Sequence, residues 1–409
     1  MIYFAILIAI VLLIITEYRV YKKKGTEAIM YRSEFSTDTA FVGDDILMYE
    51  TLENTKRLPI PYVKVNTDLP EGLEFTIIEE RADRDTRRAV GTPSIQSVFV
   101  LKGRGGIKRR WRVRCKKRGV YPAPGALVMV SDIFGIDIST KLIKSKARSE
   151  DRIRSEQIVV LPTALDLAEV FATRSDMCGD VISNRCPVTD PLILSGAREY
   201  TPFDPMNKIN WKSTAVHGRL MVNIEEKTVR TRFGIILNMN SRPIERDASV
   251  PDDTDAIEQN ITVAASVIDR AAKDNIPIRL FANADPSEVF DTRLVQPADG
   301  ESDPVGEKIL ASDFAESRQD SLELLTALAY LEMKISTPAE KMFDHICEHT
   351  EYYADSQSLI VVSSYIDRRM VNMHTELLKK GINVIFYLTT GRNEMLEAPE
   401  NIEIYYKTR

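Results

Sequence analysis

Four short apolar runs dominate the chain after Arg232: Phe233–Asn238, Ile278–Ala282, Leu359–Ser363 and Asn383–Leu388. Each is continuous rather than alternating, which is how strands covered on both faces read. Helical spacing fills the gaps between them. Asp255–Lys273 places Ile257, Ile261, Ala264, Ala265, Ile268 and Ala272 on one side, and Ser321–Met333, Glu340–Tyr352 and Asp367–Lys380 also read as helices. Strands alternating with helices predict an α/β domain with a mostly parallel sheet over residues 231–409. Ligands of such sheets sit at the carboxyl ends of the strands.

The other end of the chain is built differently. Residues 2–16, IYFAILIAIVLLIIT, are almost wholly apolar, and Lys22, Lys23 and Lys24 come soon after. With Tyr18, Val20 and Tyr21 the segment reaches about 20 residues, the length a helix needs to cross a bilayer. A secretory signal would carry its charge before the apolar run and a small-residue cleavage site after it. Residues 1–24 therefore read as an uncleaved single-pass anchor in a plasma membrane. The lysines hold the rest of the chain in the cytoplasm.

Residues 25–160 read as a β-sandwich. Prolines and glycines punctuate short runs of alternating residues, such as Tyr62–Val65, Ser97–Leu101 and Leu127–Val130. The basic run Lys108–Arg112 reads as an exposed strand face whose charge protects a sheet edge. Contact with anionic lipid heads is the alternative. Residues 161–230 form a connector, with a strand at Ile158–Leu161 leading in and a polar loop over Thr173–Asn184. The fold class is α+β, in several domains.

Within the connector, Ser195–Leu220 concentrates Gly196, Arg198, Tyr200, Asp204, Lys208, Trp211 and His217. Asp204 followed by Pro205 predicts a helix start. Trp211 falls in a possible apolar stripe, where it would be buried, and Gly218 can end the helix. A strand should come next, over Leu220–Ile224. The spacing Gly196-x-Arg198-x-Tyr200-x3-Asp204-x3-Lys208-x-x-Trp211-x3-Ala215 resembles the signature of the DUF58 family. Lys117-Arg118-Gly119-Val120-Tyr121 and Ser131-Asp132-Ile133-Phe134-Gly135 resemble two further pieces of it. Lys208 stands where that family has Arg, and offers a point charge rather than a planar fork.

The resemblance implies a membrane anchor, a β-rich segment and a von Willebrand factor A-like domain over 231–409. It implies a non-enzymatic interaction protein working with a MoxR-type AAA+ ATPase in assembly or maturation of envelope or membrane complexes, with no cofactor. Gly196, Arg198, Tyr200, Asp204, Lys208 and Trp211 would be its binding set. Trp211 and Tyr200 are expected to serve structure, and Arg198 and Lys208 to meet the partner. The first strand of a von Willebrand A domain ends in Asp-x-Ser-x-Ser, whose oxygens hold a divalent ion. Here the positions read Asn238-Met239-Asn240-Ser241-Arg242. Asn238 and Asn240 replace the Asp and the first Ser, and Arg242 adds a cation, so no metal is expected in the usual mode.

Other chemistry is poorly supported. A net charge of -6 argues against general nucleic-acid affinity. Cys115, Cys178, Cys186 and Cys347 are too few and scattered for a disulfide scaffold. His345 and His349 lie one turn apart with no evident third ligand, and read as a helix face. The chain has no Gly-x-Ser-x-Gly and no phosphate-binding Gly-x4-Gly-Lys-Ser/Thr. His217 reads as a helix-end cap. Two other classes stay open: an enzyme using Arg198, Tyr200, Asp204 and His217, or a metal-dependent adhesion module.

Overall fold

A computed structural model describes residues 3, 29–57, 59–79, 86–88, 94–131, 138–143, 155–167, 171–173, 194–201, 209–225, 232–286, 309–356, 358–389 and 402–407. The expected anchor over 1–24 lies outside the described residues, Tyr3 excepted. Among the described residues no helix is long and apolar enough to cross a membrane. Contacts divide the chain into two units, Met1–Thr163 with Leu325–Tyr330, and Ala164–Leu324 with Leu331–Arg409.

The first unit is built from strands. In chain order they are β1 (Ile29–Phe35), β2 (Thr39–Phe41), β3 (Asp45–Asn54), β4 (Ile60–Asp68), β5 (Leu73–Glu79), β6 (Thr86–Arg88), β7 (Ser94–Leu101), β8 (Gly106–Cys115), β9 (Gly119–Pro122), β10 (Ala126–Ser131), β11 (Ile138–Ile143) and β12 (Gln157–Leu161). One sheet runs β1-β3-β8-β5, a second runs β11-β10-β4-β7-β6, and a small third runs β2-β12-β9. The two larger sheets are antiparallel throughout and pack as a sandwich. Alternation in the sequence becomes alternation in burial: along β3 every second residue from Ile46 to Asn54 is buried. Tyr31, Leu52, Val63, Val65, Phe99, Leu101 and Val128 fill one part of the core, and Phe35, Met48, Phe75, Trp111, Val113 and Ile158 another.

One motif of the resemblance has a local structural explanation here. The Tyr121 hydroxyl folds back to donate to the Lys117 carbonyl at 3.0 Å. It lies over Gly72, where a Cβ would stand 1.8 Å from that hydroxyl. Gly119 supplies the positive φ of 144° that lets the chain turn between them. Residues 132–137, which hold most of the other piece, are outside the described residues.

The chain continues with β13 (Phe171–Thr173), β14 (Leu194–Glu199), α1 (Trp211–His217), β15 (Met221–Glu225), β16 (Phe233–Leu237), α2 (Thr254–Lys273), β17 (Ile278–Ala282), β18 (Ala284–Pro286), β19 (Leu310–Ala311), α3 (Arg318–Tyr330), β20 (Leu331–Ile335), α4 (Ala339–Glu348), α5 (Thr350–Ala354), β21 (Ser358–Ser363), α6 (Arg368–Lys379), β22 (Asn383–Leu388) and β23 (Glu403–Lys407), all in the second unit except Leu325–Tyr330 of α3. The main sheet runs β13-β23-β22-β21-β16-β17-β19. Its five central strands are parallel and the two edges antiparallel. Every residue of β16 and β17 is buried, as their unbroken apolar runs require. The C-terminal region is thus a mixed, mainly parallel sheet with helices, an α/β arrangement.

Two helical expectations are corrected. The helix expected over Ser321–Met333 ends at Tyr330, and Leu331–Ile335 is a strand paired with β18. The stretch Glu340–Tyr352 breaks at His349 into α4 and α5. At α2 the start is set by Asp253, whose carboxylate accepts from the Asp255 and Ala256 amides at 3.1 and 3.0 Å.

Candidate functional site

The sheet order places β16 between β17 and β21. From β16 the chain first steps to one side, through α2 to β17. It later returns to the other side, at β21, and continues through β22 to β23. The reversal lies between β16 and β21, and a crevice at the carboxyl ends of such a pair is where open α/β sheets bind. The apolar strands there stop at Asn238 after β16, Asn283 after β17, Ser363 and Ser364 at β21, and Thr389 after β22.

These side chains are buried and bonded to one another. Asn238 Nδ2 donates to Ser363 Oγ at 3.0 Å, joining the two strands across the reversal. Its Oδ1 accepts from the Asn240 amide at 3.0 Å. Asn260, on α2, donates to the Asn238 carbonyl at 3.1 Å and to Ser364 Oγ at 3.0 Å, while accepting from Thr389 Oγ1 at 2.6 Å. Asn283 donates to Asn240 Oδ1 at 2.8 Å and to the Thr337 carbonyl at 2.9 Å, and accepts from the Met239 amide at 2.8 Å. All these partners are neutral amides, hydroxyls or backbone groups.

Carboxylates stand only at the outer part of the loop, and each has a partner. Glu245 folds back to accept from the Ser241 and Arg242 amides, the Ser241 hydroxyl and the Asp252 amide. Asp252 lies 3.5 Å from Arg242 and 3.7 Å from Arg246. Asp253 caps α2. Tyr365 sits beside this network, and burial pushes its phenol well above the ordinary range. Among the described residues no group of three or more His, Cys, Asp or Glu is placed to hold a metal ion. The loop Asn238–Arg242 is held by hydrogen bonds from within it and from Glu245, Asn260 and Asn283, with the Arg242 guanidinium facing Asp252.

The signature segment is a hairpin with a helix inserted. β14 pairs antiparallel with β15, Arg198 opposite Val222 and Glu199 opposite Met221. Asn210 caps α1 by accepting from the Ser213 amide at 2.9 Å, and Gly218 ends it at φ 64°. The helix described here spans Trp211–His217, and the helix start expected at Asp204 lies outside the described residues. Asp204 and Lys208 lie outside the described residues, and Gly196 is a backbone member of β14. The expected burial of Trp211 is overturned: it is 69% exposed, and no residue of α1 is buried. The helix is about two turns long, and the buried apolar residues of the segment are Ile209 and Val222, which bridge each other, instead. Arg198 is exposed on the same hairpin, and Tyr200 is half-buried. His217 Nδ1 donates to the Ser213 carbonyl at 3.0 Å within its own helix.

The other candidates separate. His345 and His349 stack with ring centroids 4.2 Å apart, and their Nδ1 atoms face Tyr353 Oη and the His345 carbonyl, each at 3.3 Å. Cys115 and Cys347 are free thiols, and burial raises both. Cys178 and Cys186 lie outside the described residues.

Sequence reasoning pointed to Asn238, Asn240 and Arg242 but missed Asn260, Asn283, Ser363, Ser364, Thr389 and Glu245. A signal for four of them was present: small polar residues end or succeed three more of the apolar strand runs.

No family model matches the chain, and no curated protein matches it. Among solved structures it is similar to the cohesin module of a family 33 glycoside hydrolase from Clostridium perfringens, at 14% identity, covering 29% of this chain and 98% of that one, with a TM-score of 0.20. It is similar to a non-cellulosomal cohesin from Archaeoglobus fulgidus at 14% identity, 32% and 91% coverage and a TM-score of 0.20. The human F-spondin reeler domain gives 12% identity, 32% and 92% coverage and a TM-score of 0.20. Likenesses this distant carry no argument about function.

Proposed function

We propose that this chain is a non-enzymatic, membrane-anchored interaction protein of the DUF58 type, whose α/β unit is von Willebrand A-like. It would work with a MoxR-type AAA+ ATPase at the cytoplasmic face of a plasma membrane, in assembly or maturation of envelope or membrane complexes. The observation that supports this reading is the state of the carboxyl end of the sheet. A loop stands at the reversal of strand order, and its inner groups are neutral and mutually bonded. Such a loop offers a rigid surface to a protein more readily than a ligand set to an ion or a nucleophile to a substrate. The exposed Trp211 and Arg198 add an aromatic and a cation of the kinds that dominate protein interfaces.

The test is capture of the ATPase by the full chain in detergent, with and without nucleotide. Capture of a MoxR-type ATPase should be retained in the wild type and lost with Trp211→Ala or Arg198→Ala. Both variants should melt within about 0.5 kcal/mol of the wild type, because the side chains are exposed. Normal capture by both variants would move the interface away from the hairpin. A reporter fused after Arg409 should behave as cytosolic, and an external reading would overturn the proposed orientation.

A further inference from the structure

The run Lys108–Arg112 is not on an edge. β8 is an interior strand, paired with β3 on one side and β5 on the other. Edge protection therefore cannot account for its charge. The strand's two faces are also unlike. Arg109, Trp111, Val113 and Cys115 point into the core, whereas Lys108, Arg110, Arg112 and Arg114 are exposed on the outer face. Residues two apart on a strand lie about 6.7 Å from each other, so this row extends over about 20 Å. Arg32 of β1 joins the same face through Thr51, which pairs with both Arg32 and Lys108. Among the described residues, Arg32, Lys108, Arg112 and Arg114 make no ion pair. Asp45 and Glu74 lie opposite Arg114 at one end of the row, and Glu74 is paired with Lys116 at 2.9 Å. Glu79 is in register with Arg110, and the other cross-strand neighbours of Lys108, Arg110 and Arg112 are Leu47, Tyr49, Thr51 and Thr76.

The charge is concentrated in this unit. Residues 29–163 hold 24 Lys and Arg against 18 Asp and Glu, although the whole chain carries -6. The expected bilayer segment ends at Lys24, five residues before β1, and five residues reach at most about 17 Å. We propose that the outer face of the β1-β3-β8-β5 sheet lies against anionic lipid headgroups of the bilayer that holds the anchor. The inference rests on the anchor reading of residues 1–24. A flat row of exposed cations matches a plane of anionic headgroups, and the short tether keeps the two within reach. Each such residue contributes about fivefold to association with an anionic surface, and salt screens the effect within a Debye length.

The experiment is chemical footprinting of the full chain in nanodiscs, read by mass spectrometry. Discs contain phosphatidylcholine alone or with added phosphatidylserine. Lysine acetylation at Lys108 and dicarbonyl modification at Arg112 and Arg114 should slow several-fold in the anionic discs at low salt. High salt should restore the rates, and Lys379, exposed on α6, should not change. Equal rates in both discs overturn the proposal. Protection by a single-stranded oligonucleotide but not by phosphatidylserine would overturn it in favour of nucleic acid. A chain that enters neither disc and fails to float with vesicles contradicts the anchor itself, which is a separate outcome.

Discussion

Two buried polar clusters, one in each unit, solve the same problem with opposite chemistry. In the sandwich, Glu50 and Arg109 face each other across β3 and β8 at 3% and 4% exposure. Arg109 donates from Nε and Nη2 to the two carboxylate oxygens at 2.9 and 2.8 Å, and from Nη1 to Ser97 Oγ of the facing sheet at 2.7 Å. Trp111 Nε1 adds a third bond to Glu50 at 2.8 Å, and the guanidinium lies over the Phe99 and Trp111 rings. At the carboxyl end of the parallel sheet, Asn238, Asn240, Asn260, Asn283, Ser363 and Thr389 use no charge at all. An ionised pair is costly to desolvate and costly to break, because the survivor is left charged and dry. Breaking a neutral network leaves an unpaired dipole, which is less costly to bury than an unpaired charge. The first arrangement fixes two sheets in one register. The second shapes a surface loop without making it an ion site.

The largest effect should come from breaking the pair on one side. Arg109→Met leaves Glu50 buried beside Tyr31, whose phenol is already held well above its ordinary range by burial and by that carboxylate. The sandwich should lose about 3–5 kcal/mol. Glu50→Met with Arg109→Met should recover most of that loss, since a buried pair replaced by apolar groups is often neutral. Urea unfolding followed by tryptophan emission reads this unit, because Trp111 is buried and Trp211 is exposed. A double variant no better than the single would mean that the pair is worth its desolvation.

The neutral network predicts a smaller loss. Asn283→Ala removes two donations and one acceptance, leaving the buried Met239 amide without its partner. The cost should be about 1–3 kcal/mol, felt by the α/β unit alone. A loss as large as that of Arg109→Met would erase the contrast between the clusters.

How far the sequence revealed these features depended on range. Phe233–Leu237 and Ile278–Ala282 were legible as strands because burial on both faces leaves a continuous apolar run. The sandwich was legible from alternation. Arg109 was not, because its neighbours Lys108 and Arg110 are exposed. Only its register opposite Glu50, 59 positions away, shows that it points inward. Trp211 was misread for the converse reason. Apolar spacing over 206–215 fits an amphipathic helix, but α1 begins at Trp211 and has no buried face. In the loop, Asn238, Asn240 and Arg242 were found by their chain order, while Asn260 and Asn283 arrive from other elements that only the sheet order brings together.

Acid separates the clusters further. The amides and hydroxyls of the network do not titrate between pH 5 and 8, so acid sensitivity of the α/β unit must enter elsewhere. His374, on α6, is buried against Phe386, and its Nδ1 has no hydrogen bond. Burial pushes its imidazole below the ordinary value of 6.5, with Glu403 opposing. The unfolded chain then takes the proton first, so stability is fully present above about pH 6.5 and falls as pH drops through the folded-state value. His374→Gln should flatten that acid limb in a melting series. An unchanged limb would assign it to other groups.

The smallest expected effect is none, and it is the sharpest test of the neutral cluster. Magnesium or manganese at millimolar concentration should leave the melting temperature of the full chain unchanged. An ion bound only by the folded state must raise stability by mass action. Magnesium asks for an oxygen octahedron with at least one available carboxylate. Glu245 is engaged by backbone amides, Asp253 caps α2, and Asp252 faces Arg242 and Arg246. Asn238 supplies an amide oxygen that already accepts from Asn240. Asn238→Asp with Arg242→Ser returns an anion to the loop and frees Asp252 from one guanidinium. That double variant should gain a metal-dependent rise that a chelator removes. A rise in the wild type, abolished by chelator, would show that an ion can displace Arg242 from Asp252, and the loop would have to be read as a metal site closed by its own arginine.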